Sequence, residues 1–167
     1  MLLTRLAADF YTVAEARYAT YCSLGARVVQ SVLSQFGLAG RLVPCQLFGL
    51  NATKRHVVGF TRTATNDRWD GHVVCMTDRW IVDTATAHLQ REAGFDVPAA
   101  VVGRVVPGVR TAIYGECIPN PSTLLLWLNP PQGFDLSPPE EPRGIVDELV
   151  GRLVTHLQQD THGRQAG

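Results

Sequence analysis

Two runs in the middle of the chain can bring a histidine and a carboxylate side by side. Gly71 to Met76 and Arg79 to Asp83 are apolar, β-favouring segments with Thr77 and Asp78 between them. With those two residues as a loop, Met76 faces Arg79, Val74 faces Ile81 and His72 faces Asp83. Directly opposed residues of an antiparallel pair share a face, with Cβ atoms roughly 4.5–5.5 Å apart. A four-residue loop from Met76 to Arg79 keeps this register. A three-residue loop, Thr77 to Arg79, sets His72 against Thr84 instead and turns Asp83 to the other face. In the first register an imidazole and a carboxylate form the histidine–acid half of a nucleophilic triad. Cys22 is the best-placed nucleophile. It stands at the expected start of a helix, where unpaired backbone N–H groups and the macrodipole favour a thiolate. It also shares a stripe with Ala26, Val29 and Leu33, which must face the sheet. A histidine beside it can complete a thiolate–imidazolium pair, and the same N–H groups can receive an oxyanion. The competing reading of Cys22 is a small, inert, buried cysteine.

The elements that must position these residues follow from periodicity. Leu3, Leu6, Phe10 and Val13 recur at helical spacing, so residues 3 to 19 read as an amphipathic helix. A second helix runs from Cys22 to Gly37, a good terminating residue. Arg41 to Leu50 and His56 to Thr63 read as strands, with Pro44 marking an edge or a bulge. Beyond Asp83, the segment TATAHLQRE reads as a short helix, and two further strands are expected around Arg110 to Cys117 and Thr123 to Leu128. Residues 129–143 are too rich in proline for regular structure over most of their length. A final helix spans Gly144 to Gln159, with Ile145, Leu149, Leu153 and Leu157 at four-residue spacing, and residues 161–167 form a frayed tail. The apolar stripe of that helix packs on the body of the domain; dimerisation through it is the less favoured use.

Composition narrows the function. A chain of 167 residues, 46% hydrophobic and 18% charged, is most simply one domain, 1–160, with its own core. Fifteen basic residues balance fifteen acidic ones, and Lys54 is the single lysine, so nucleic acid is a poor partner. No apolar run reaches a membrane-spanning length and the first residues lack a signal-peptide core. Cys22, Cys45, Cys75 and Cys117 contain no CxxC pair, so a reduced, cytoplasmic compartment is expected; their even number keeps a disulfide-bonded, secreted protein as the alternative. No cofactor is implied. A zinc site from Cys22, His72, Asp83 and His88 has no supporting ligand spacing. His56 reads as structural, Cys45 and Cys117 as core residues, and Trp69 and Trp127 as aromatic core before groove lining.

Two segments carry a family resemblance. YCSLGARVVQSVLSQFGLAGRLVPCQ resembles the nucleophile helix and following strand of the transglutaminase-like superfamily, a branch of the papain-like cysteine enzymes. GHVVCMTDRWIVDTA resembles its second and third motifs, with Trp80 ahead of the Asp83–Thr84 pair. Arylamine N-acetyltransferases share that architecture. The resemblance covers about residues 20–86 and implies an α+β, papain-like fold in which an antiparallel sheet packs against the nucleophile's helix. It implies Cys22 as nucleophile, His72 as general base and acid, and Asp83 as the group orienting His72. Ser23 follows the cysteine, no tryptophan or glycine directly precedes it, and Tyr21 or Tyr18 is the nearest side chain able to help hold an oxyanion. The implied chemistry is attack on an amide or acyl group of a peptide, protein or small molecule, as a peptidase, deamidase, transglutaminase or acyltransferase. Hydrolysis demands least, because water needs no second binding site. A binding or assembly protein with a silent triad, and a metal-dependent hydrolase, are the competing classes.

Overall fold

Three helices lie outside a closed sheet, and a fourth covers one of its ends. The computed structural model describes residues 2–61, 69–106 and 113–163. Helix α1 (Leu2–Val13) ends earlier than the apolar spacing predicts and is followed by a single 3₁₀ turn, Ala16–Tyr18. Helix α2 spans Cys22–Gln35 and closes through Phe36 and Gly37, the latter at φ 72°. Strands β1 (Arg41–Leu50), β2 (Arg55–Val58), β3 (His72–Met76) and β4 (Trp80–Asp83) follow. Helix α3 (Ala87–Ala93) precedes β5 (Val101–Val105), β6 (Ile113–Asn120) and β7 (Thr123–Leu128), and helix α4 runs from Arg143 to Gly163. The predicted positions 62–63, 110–112 and 164–167 lie outside the described residues.

The order of the sheet is β2-β1-β3-β4-β5-β6-β7, every pair antiparallel, and β1 also pairs β7. Six strands therefore close into a barrel, a closure not foreseen from periodicity. Length explains it: β1 pairs β3 through Arg41–Cys45 on one edge and β7 through Gln46–Leu50 on the other, while β2 continues beside its second half. Closing the sheet removes the exposed edges that an open one leaves. The fold is thus mixed helix and sheet, with the Cys22 helix against the barrel wall.

Alternation sorts the strands into two cores. Val43, Cys45, Leu47, Val74, Met76, Ile81, Leu125 and Trp127 point inside, where Leu89 and Phe95 of the α3 region close one end. Cys75 and Val82 point outward to Leu6, Phe10, Val28, Val32, Leu149, Leu153 and Leu157 of the helices. The stripe Leu149–Leu153–Leu157 is buried there, and Arg152 of α4 donates to Val13 O at 2.6 Å. Strand β5 went unrecognised in the sequence because Gly103 breaks its pattern. That glycine makes room for the interior: a Cβ on it would meet the Trp127 ring at 2.2 Å.

Gly25 lets α2 press against Thr84, the residue that follows β4. A Cβ there would stand 2.0 Å from Thr84 Oγ1. In an open helix Gly→Ala gains about 1 kcal/mol of propensity. Here overpacking, at about 1–3 kcal/mol, outweighs that gain. Gly25→Ala is expected to lower the urea midpoint with an unchanged denaturant slope, and a raised midpoint would contradict this packing.

Candidate active site

The hairpin adopts a register that neither loop reading anticipates. Cys75 pairs with Val82 and Met76 with Ile81, so the loop residues are Asp78 and Arg79. Thr77 N–H donates to Trp80 O at 2.8 Å, and Thr77 Oγ1 receives Trp80 N–H at 3.0 Å. This hydroxyl-stabilised turn moves the pairing by two residues. A shift of two keeps every side chain on its face, whereas a shift of one would not. Asp83 therefore lies opposite Val74, on the same side as His72 and one diagonal step from it. That diagonal remains within reach of long side chains.

The contact predicted for the pair is present. His72 Nε2 and Asp83 Oδ2 are 2.8 Å apart, with side-chain exposures of 0% and 1%. Asp83 is further fixed by Trp127, whose indole N–H donates to Oδ2 at 2.8 Å, and by the Ala85 N–H, which donates to Oδ1 at 2.8 Å. These donors reverse what burial alone would do. Burial raises the Asp83 pKa, but the His72 charge and hydrogen bond and the two N–H donors bring it below the ordinary value. For His72, burial disfavours the cation, yet the Asp83 charge and hydrogen bond, aided by Cys22, raise its pKa to about 10. Because Asp83 accepts at Nε2, the free ring nitrogen is Nδ1, which is buried and has no hydrogen-bond partner among the described residues.

Cys22 opens α2 and is 8% exposed. Its thiol donates to Gly71 O, 3.8 Å away, the carbonyl immediately before His72. The sequence placed Cys22 and His72 on facing surfaces; the arrangement is different. Cys22 packs with Ala26, Val73 and Ala85 on the outer face of the barrel, while His72 points inside with Val74. His72 is the first residue of β3 and α2 begins near that strand end, close enough for Cys22 to help raise the His72 pKa. Tyr21 caps α2 without a side-chain hydrogen bond, so its own side chain satisfies none of the first-turn N–H groups.

Several neighbours were not legible as site residues. Tyr11 donates its hydroxyl to Thr84 O, and burial first, then the charges of Asp83 and Cys22, push its pKa up. Trp127 was expected as core and is fully buried, but its indole N–H makes it part of the Asp83 cradle. His88 stands with its ring centroid 6.4 Å from that of His72; its Nε2 donates to Thr20 O at 3.0 Å and its Nδ1 faces Glu92 at 3.1 Å. His56 reaches the same carboxylate at 2.9 Å. Burial acts against the Glu92 charge, and the two histidines outweigh it and lower the pKa. Tyr21, by contrast, is 55% exposed and stacks edge-on against Tyr18 at 5.8 Å. Among the described residues, no group of three or more His, Cys, Asp or Glu side chains is arranged to hold a metal ion.

The other thiols differ from Cys22 in setting. All four cysteines are unpaired. Burial pushes Cys75 up to about 12 and raises Cys45 and Cys117 as well, with Asp83 adding to the effect on the last two. No helix among the described residues is long and apolar enough to cross a membrane. No family model, curated protein or solved structure matches this chain.

Proposed function

We propose that this chain is a cysteine-dependent enzyme of transglutaminase-like, papain-like type, acting at an amide or acyl bond, with hydrolysis by a peptidase or deamidase route as the simplest outcome. The observation that carries the reading is the buried His72 ring, bonded to Asp83 through Nε2, with Nδ1 lacking a hydrogen-bond partner among the described residues and with Cys22 near enough to help raise its pKa. His72 is held as an imidazolium by Asp83, so in the first half-reaction Cys22 attacks the acyl carbon as the thiolate paired with that cation. The C–N or C–O bond then breaks, the leaving group takes the proton from His72, and a thioester remains on Cys22. In the second half-reaction water gives a proton to His72 and attacks the thioester; the carboxylic acid leaves and the thiolate–imidazolium pair is restored. The first-turn N–H groups of α2 supply an oxyanion site, where electrostatic stabilisation has the largest effect.

A silent triad in a binding module is the competing reading, favoured by the low exposure of Cys22. Thiol reactivity separates the two. Cys22 is expected to alkylate fastest of the four cysteines near neutral pH, and His72→Ala to slow it by about a hundredfold. Equal, slow alkylation of all four thiols would assign the chain to the binding class.

A further inference from the structure

The proline-rich segment 129–142 is not a passive connection. It crosses the start of α2 and is held by its backbone. Trp69 Nε1 donates to Asp135 O at 3.0 Å. Four residues further on, Pro139 O accepts from Ser23 Oγ at 2.9 Å and from Arg27 Nη2 at 3.1 Å. Ser23 directly follows Cys22, and Arg27 lies one turn along on the same helix face. The Trp69 ring covers Gly71, where a Cβ would stand 2.1 Å from it; Gly71 is the residue whose carbonyl receives the Cys22 thiol. Phe134 packs edge-on against Phe60 at 5.7 Å, and Phe60 packs against Trp69 at 5.6 Å.

The body of the domain thus presents donors to backbone carbonyls plus an aromatic platform for one apolar side chain. Carbonyl recognition does not depend on which side chains the ligand carries, and proline, which lacks an N–H, fits a surface made of donors. Resting on the reading of Cys22 as a nucleophile, we propose that this surface is the substrate groove, that it takes an extended polypeptide with an aromatic residue on the Phe60–Trp69 platform, and that segment 129–142 is its resident occupant. The same contacts that hold the strap would position a substrate chain beside Cys22, so the strap must lift before a substrate enters. Its attachment is light: most of 131–142 is exposed and Phe134 is only half-buried.

The test loosens the strap and leaves the groove intact. In Phe134→Ala/Pro139→Gly, loss of one half-buried ring is expected to speed Cys22 labelling by iodoacetamide about tenfold. A fluorescein-labelled peptide with the sequence NPPQGFDLSPPEEP is expected to bind this variant more tightly than a scrambled peptide, as read by anisotropy. Adding Ser23→Ala and Arg27→Ala should weaken that binding about tenfold to a hundredfold. Binding is measured with Cys22→Ala present, so it does not depend on a reactive thiol. A peptide that binds beside a thiol found inert in the unsubstituted chain would overturn the hydrolase and keep the groove. Unchanged labelling in the loosened variant, or equal binding of strap and scrambled peptides, overturns the groove.

Discussion

Asp83→Asn is expected to slow acylation of Cys22 by about 10²–10⁴-fold, as for the corresponding change in other triads. The reason lies in the donor count around one carboxylate. Oδ2 accepts from both His72 and Trp127, and Oδ1 accepts from the Ala85 N–H. An asparagine has one accepting oxygen and one donating nitrogen. If the oxygen stays on Ala85, the amide N–H₂ faces His72 and the Trp127 N–H. His72 can answer by changing tautomer, so that Nε2 accepts and Nδ1 carries the proton. The ring is then neutral, and the imidazolium that pairs with the Cys22 thiolate is lost. Trp127 has no such option and loses its acceptor. Release of nitrophenol from p-nitrophenyl acetate in a single turnover measures the acylation step. The pH dependence separates orientation from mere damage, because the variant should also lose the raised titration of His72. An unchanged acylation rate would remove Asp83 from the mechanism.

The second large effect is on stability. Removing His72 leaves Asp83 buried without its cation, and breaking a buried pair in this way costs about 3–5 kcal/mol. The pH profile carries the diagnosis. In the wild type, His72 has a folded pKa of about 10 against an ordinary 6.5, so its contribution is complete below 6.5 and fades as pH rises towards 10. Asp83 is lowered from 3.8, so its contribution is present above that value and fades as pH falls further. The pair thus stabilises the fold most between these limits. In His72→Ala the alkaline loss should disappear. Burial would then dominate at Asp83 and push its pKa up, so the variant should gain stability relative to wild type as pH falls from 7 towards 4. Urea denaturation at pH 5, 7 and 9 measures both arms. A deficit equal at all three values would mean that His72 contributes packing alone.

Strand β1, the start of α2 at Cys22 and strand β7 were legible in the sequence because each depends on short-range pattern: alternation, or an apolar stripe beginning at a defined residue. The pairing of His72 with Asp83 was legible for a subtler reason. The predicted register was wrong by two residues, yet side chains on a strand repeat every two, so an even slip leaves both groups on one face. The turn moved because the Thr77 hydroxyl bonds across to Trp80, a preference that alternation does not encode.

What the sequence determined by itself was therefore local: which residues alternate, where a helix begins, and which two titratable groups share a face. The tertiary structure decided the rest. Barrel closure put Trp127 against Asp83 from the far end of the chain, Gly103 was readable as a site for that ring only once the ring was in place, and residues 129–142 came to rest on Ser23, Arg27 and Trp69. These contacts join residues tens of positions apart, and neither spacing nor composition carries a signal for a partner that distant. Even the nearness of Cys22 to His72 belongs here, since the thiol reaches the Gly71 carbonyl just before His72 from the opposite face of the strand.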